Sequence, residues 1–198
     1  MTNLQFPLDL TFKISTLSND FEAKDASGRT LAYVRQKLLK FIDEIQVYSD
    51  STRTNLAYTI KANKWIDFSA TYTFSNNQGR EVGRIARKGW ASLWKAHYEI
   101  FDENQKPDLV VREENGWVKV ADAFLAEIPI LGILTGYLFN PSYLVSRPDG
   151  TLVVRLKKQA SFFGRRFQIT KINAFEQGEE ERIVLGLMMM VLLERRRG

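Results

Sequence analysis

The side chains that could do chemistry in this chain are few, and their types favour binding over turnover. There is one histidine, His97 in WKAHYEIFDE, and no cysteine at all. That leaves no material for a two-histidine metal site, a thiolate nucleophile or cysteine-ligated zinc. If the segment is a strand, Trp94, Ala96, Tyr98 and Ile100 share one face, and His97 lies with Lys95 and Glu99 on the other. A lone surface histidine with no neighbouring nucleophile reads as structural. Carboxylates do occur side by side, at Glu113-Glu114 and Glu179-Glu180-Glu181. Adjacent residues on a strand point to opposite faces, so such pairs do not converge as an acid and a base. No catalytic residue, metal ligand or cofactor motif is expected, and the chain reads as non-enzymatic.

What remains is positive charge. Arg84, Arg87 and Lys88 form one basic group, Lys157 and Lys158 a second, Arg165 and Arg166 a third. Groups of this kind can hold an anionic headgroup, or they can blunt the exposed edge of a sheet. The balance of 28 basic against 23 acidic residues, net +5, permits attraction to an anionic surface without singling one out. Trp90 and Trp94 lie close to Arg87 and Lys88. They suit a membrane interface, stacking on bases, or simple burial. No nucleic-acid motif accompanies them, so nucleic acid is not an expected partner.

The elements that must position these residues follow from a recurring unit. An alternating segment leads into a polar turn, and a second alternating segment carrying Lys or Arg leads out. The instances are FEAKDASGRTLAYVRQK, VYSDSTRTNLAYTIK, YTFSNNQGREVGRIARK, YEIFDENQKPDLVVRE and YLVSRPDGTLVVRLKK. In PDG, Pro148 and Asp149 suit early turn positions and Gly150 can take the positive φ of a tight turn. A sixth alternating run, Phe167, Ile169 and Ile172, and an N-terminal one, Phe6 to Ile14, bring the total to about a dozen half-buried strands. KLLKFIDEI, Lys37 to Ile45, fits a helical stripe as well as a strand.

The chain ends EEERIVLGLMMMVLLERRRG. Its apolar run, Ile183 to Leu193, is too short for the roughly 20 residues of a spanning helix. Ile128 to Phe139 is too short as well. The opening MTNLQFPLDLTFKIS lacks a basic segment followed by an unbroken apolar one, so no signal peptide is expected. Twelve tilted strands close at a radius of roughly 12 Å, too wide a bore for their own side chains to fill. A helix is about 10–12 Å across and fits. The terminal segment is apolar on every face, as a helix buried all round must be. Glu179 to Glu181 then complement the dipole at its start, and Arg195 to Arg197 at its end. The expectation is a single mainly-β domain over residues 1–198: a closed antiparallel barrel of about twelve strands around a central C-terminal helix. The stretch Phe124 to Phe139 interrupts the hairpin rhythm, with Pro129, Gly132 and Gly136 breaking any long helix. It caps the barrel mouth or, if exposed, touches a membrane or a protein partner.

In order and content these segments resemble the tubby C-terminal-like superfamily, and within it the LURP-one-related and phospholipid-scramblase branch. The likeness runs through NDFEAKDASGRTLAYVRQK, VGRIARKGWASLWKAHYEIFDENQ, NPSYLVSRPDGTLVVRL and IVLGLMMMVLLERRRG. It implies a twelve-stranded barrel around a hydrophobic C-terminal helix. It also implies binding of anionic phospholipid through basic side chains on adjacent strands. Gly83-Arg84-Ile85-Ala86 looks like the family's Gly-Lys-Leu-Arg, with Arg84 in place of the lysine and Ala86 in place of the arginine, next to Arg87. The second basic cluster falls near Lys61 and Lys64. Lipid scrambling is not implied here. EQGEEE lacks the alternating ligand spacing of a calcium loop, and there are no cysteines to palmitoylate.

Three function classes follow. The first is a cytoplasmic binding module, peripheral to the membrane, that meets anionic phospholipid at Lys61, Lys64, Arg84, Arg87 and Lys88. The second is a protein-interaction domain working through 124–139, and the third is an enzyme with a cavity that the sequence does not reveal.

Overall fold

The computed structural model describes residues 4–13, 20–35, 44–63, 71–87, 97–114, 141–159 and 166–195. These form twelve strands and one helix, in the order β1 (Leu8–Phe12), β2 (Phe21–Lys24), β3 (Thr30–Arg35), β4 (Glu44–Tyr48), β5 (Leu56–Ala62), β6 (Thr71–Asn76), β7 (Glu81–Arg87), β8 (His97–Phe101), β9 (Pro107–Glu113), β10 (Ser142–Ser146), β11 (Leu152–Gln159), β12 (Arg166–Lys171) and α1 (Glu179–Arg195). Each strand pairs antiparallel with its neighbour in sequence, and β1 pairs with β12 to close the barrel.

Period-2 patterning sets which side chains face the bore. On β8, Tyr98 and Ile100 are buried while His97, Glu99 and Phe101 keep partial exposure. On β4, Ile45 and Val47 are buried between half-exposed or exposed neighbours. The register carries the alternation around the wall: Ile60 pairs with Phe74, and Ile85 with Ile100. A slip of one residue would turn every core side chain outward, so the pattern itself fixes the pairing.

Five hairpins share one construction. In β2–β3, β6–β7 and β8–β9 the first turn residue is Asp25, Asn76 or Asp102. Its side-chain oxygen accepts from two backbone N–H groups of its own turn, at 2.8–3.0 Å. Asp50 does the same in the longer β4–β5 turn, taking bonds from the N–H groups of Thr54 and Asn55 and from the Thr52 hydroxyl. These bonds hold the Asp50 carboxyl down at about 2. A residue with positive φ closes each turn: Gly28, Arg53, Gly79, Gln105 and Gly150. Every one of the five hairpins then has a register shift in its ladder. Such bulges bend and twist a strand pair, which helps a sheet of this size to curl into a barrel.

Helix α1 fills the bore. Ile183 to Leu192 are all buried, at 0–1% exposure apart from Gly186, which packs within the same run. Their burial contributes on the order of 20 kcal/mol of gross hydrophobic stabilisation. Gly186 sets the approach distance: a Cβ there would lie 2.8 Å from Ile100 Cδ1 and 3.7 Å from Ile85 Cδ1. The glycine lets β7 and β8 come close to the helix axis. Among the described residues no helix is long and apolar enough to cross a membrane.

The structure corrects three expectations. Ile172 is not a core residue: it follows the end of β12 and is 40% exposed. Alternation puts Phe167, Ile169 and Lys171 on one side, and Ile172 falls outside that pattern. His97 is half-buried, with Nε2 shielded from solvent, and pairs across the ladder with Arg112. Blunting of free sheet edges is no explanation for the basic strands, because the closed ladder leaves no edge. Of Lys37 to Ile45, Glu44 and Ile45 belong to β4, and the rest lies outside the described residues. So do Trp90, Trp94, Arg165 and the stretch Phe124 to Phe139.

Candidate functional site

The candidate basic residues divide by strand face. Register places Lys61 opposite both Glu44 and Thr73, Thr73 opposite Arg84, and Arg84 opposite Phe101. Glu44, Lys61, Thr73, Arg84 and Phe101 therefore form one row across five neighbouring strands. Their neighbours Ile45, Ile60, Phe74, Ile85 and Ile100 are buried, so the row lies on the outer face. With strands about 4.8 Å apart, Lys61 and Arg84 stand roughly 10 Å apart at the backbone, with the threonine between them.

Both cations have carboxylate partners. Lys61, 64% exposed, lies 3.4 Å from Glu44. Arg84, 25% exposed, makes a two-point contact with Glu81 at 2.5 and 3.0 Å. The Glu81 hydrogen bonds raise the Arg84 pKa further, so its charge is permanent. The Thr73 hydroxyl donates to Asn63 Oδ1 at 3.1 Å. Arg87 falls on the alternate face of β7, with its guanidinium 5.9 Å from the centre of the Tyr98 ring. Lys64 and Lys88 lie outside the described residues. Elsewhere, Lys157 is exposed on the outer face of β11, opposite Ser142 and Gln168, far around the barrel from the row.

A second concentration of polar groups lies at the barrel mouth where α1 begins. Arg182, in the first turn of α1, is 9% exposed at its side chain. It reaches Asp108 at 2.6 and 2.8 Å and Glu103 at 3.2 Å. Two glycines with positive φ give it passage. A Cβ on Gly83 would fall 2.8 Å from Arg182 Cδ and 2.7 Å from the Phe101 carbonyl oxygen, and one on Gly178 would fall 2.6 Å from Arg182 Nη1. Across the mouth, Arg147 donates twice to Glu179, both at 2.7 Å, and once to the Ala174 carbonyl at 2.9 Å. Burial alone would raise the Glu179 carboxyl, but the bonds from Arg147 and from the Glu176 N–H outweigh it, and the net direction is down. Burial, and then the hydrogen bond to the Glu181 carboxylate, push the Tyr58 phenol well above its usual value.

Of these groups Tyr58, Glu103, Glu181 and Arg182 line a cleft of 710 Å³ between β5, the β6–β7 and β8–β9 turns and the start of α1. Sequence reasoning placed Glu179 to Glu181 correctly at the helix start. It did not find Arg147, Asp108 or Arg182, whose partners lie 32 to 79 residues away. One local signal existed. In the PDG hairpin, Arg147 makes the backbone bonds that Asp25, Asn76 and Asp102 make in theirs, without being a turn-capping residue itself. Its side chain is left to reach the helix.

Among the described residues no group of three or more His, Asp or Glu side chains is arranged to hold a metal ion. Comparison with known proteins bears on the whole architecture. An X-ray structure of a protein from Arabidopsis thaliana is similar in fold, with a TM-score of 0.51 at 12% identity. The match covers 98% of this chain and 94% of that one. No curated protein sequence matches. The family model for LURP-one-related proteins matches residues 30–191, from the start of β3 into the last turns of the buried helix. The chain belongs to the LURP-one-related family.

Proposed function

We propose that this chain is a non-catalytic binding module that takes an anionic phospholipid headgroup on its outer wall. The observation that carries the reading is the row Lys61–Thr73–Arg84 on β5, β6 and β7. Two long cationic side chains flank a short hydroxyl, a spacing at which both cations can turn onto one phosphate. Their present partners do not prevent this. The exposed Lys61–Glu44 pair contributes about 0–1 kcal/mol, less than a shared phosphate can return. Arg84 keeps its two-point Glu81 contact and offers its remaining guanidinium N–H groups to the phosphate. Phe101, next in the row and half-exposed, adds an apolar contact beside the charge. Lys64 and Lys88 follow β5 and β7 in sequence and extend the candidate set, while Arg87, engaged with Tyr98, stands apart from direct contact. The filled bore also supports recognition from outside, and the reading places that recognition at a membrane surface.

Vesicle flotation tests the proposal. Full-length protein is mixed with phosphatidylcholine vesicles, alone or containing phosphatidylserine or phosphatidylinositol bisphosphate. Flotation with the anionic vesicles is expected, weakening as salt screens Lys61 and Arg84. The double substitution Lys61→Ala, Arg84→Ala should abolish it, while Lys157→Ala leaves it intact. Equal flotation with neutral vesicles, or none with either, contradicts the proposal.

A further inference from the structure

The mouth cleft is a separate site, and it does not rest on the headgroup reading. We infer that it binds a neutral, hydroxyl-rich ring, that is, a saccharide. Its 710 Å³ falls within the roughly 300–1,000 Å³ of small-molecule sites. The floor is fixed in place: Tyr58 and Arg182 are buried there, and both are tied to carboxylates. Of the six charged side chains that line the cleft, all but the exposed Arg80 are engaged within the protein among the described residues. Both oxygens of Glu81 accept from Arg84, and Glu103 accepts from Arg182. A cation entering the cleft would have to displace these pairs, and an anion would meet one free guanidinium, Arg80, beside four carboxylates.

Arg80 apart, the polar groups left over are of another kind. The side-chain amides of Asn77 and Gln177 line the cleft and make no hydrogen bond among the described residues. Asn76 spends its Oδ1 on its own turn, which leaves its NH₂ available to donate. A primary amide presents a donor and an acceptor side by side, and a sugar hydroxyl both donates and accepts. An inorganic phosphate or an ammonium ion offers only one of the two roles at most of its positions. Val82 and Ala57 supply apolar wall against which the C–H face of a ring can lie.

Saturation-transfer NMR on the full chain decides the point. The probes are glucose, mannose, galactose, maltose and cellobiose, with spermidine and methyl phosphate as charged comparators. Transfer to the ring protons of at least one sugar is expected. The double substitution Asn77→Ala, Gln177→Ala, at two exposed positions, should reduce it about fivefold or more, through the loss of one or two hydrogen bonds. Arg80→Ala, on the same rim, serves as a second probe of the location and should also weaken it. No transfer to any sugar, equal transfer in the variants with unchanged circular dichroism, or stronger transfer to spermidine overturns the inference.

Discussion

Arg147 occupies the turn position at which three sister hairpins carry Asp or Asn, and the exchange frees a long cation to hold the first residue of the central helix. Burial disfavours the charge on Glu179, but the bonds from Arg147 and from the Glu176 N–H, with the nearby guanidinium charges, together more than offset that, so its folded-state value lies below the usual 4.5. A carboxylate lowered in this way contributes stability that is present above the unfolded value and lost as pH falls through the folded one. Arg147→Met should therefore be less stable than wild type at neutral pH. The gap should narrow as pH drops below 4.5, which denaturation series across that range would measure. Arg182 closes the opposite side of the mouth. Its own side chain is buried, but Asp108 and Glu103 are 24% and 44% exposed, so solvent screens the bridge and the full cost of a broken buried pair does not apply. Arg182→Met should cost about 2 kcal/mol in urea unfolding.

At the scale of the element, the hairpin and the helix were both legible in the sequence, for different reasons. The turns could be read because their chemistry is local: Asp25, Asn76 and Asp102 bond to the two or four residues that follow them. The helix could be read because Ile183 to Leu192 carry no polar face. The mouth was not legible, because Arg182 meets Asp108 and Glu103 only after β10, β11 and β12 have been laid down between β9 and the helix. Nor could the sequence say that Lys61 and Arg84 share a row, since a register shift in β6–β7 moves that pairing by one residue. The turns make a paired prediction. Gly150 has φ +90 with open space beside it, so Gly150→Ala should cost about 1 kcal/mol from backbone conformation alone. Gln105 holds the equivalent position at φ +65 without being glycine, so Gln105→Gly should raise stability by up to about 1 kcal/mol. Thermal or chemical unfolding of the two variants side by side would check the opposite signs.

The whole molecule is a twelve-stranded wall built around its own C-terminus, and this decides where a ligand can bind. With nine apolar side chains of α1 packed against the inner face, the bore is filled, and the two proposed binding places are the outer row and the mouth. The same arrangement explains why a run that resembles a short membrane anchor has an acidic start: Glu179 and Glu181 tie it to Arg147 and Tyr58 on the wall. The most direct measurement is hydrogen exchange resolved along the intact chain. If the bore is filled as described, the amides of Val184 to Leu192 exchange as slowly as the slowest strand amides, through global unfolding alone. Fast exchange in that segment while the strands stay protected would show an arm or an anchor outside the barrel, and would contradict the account.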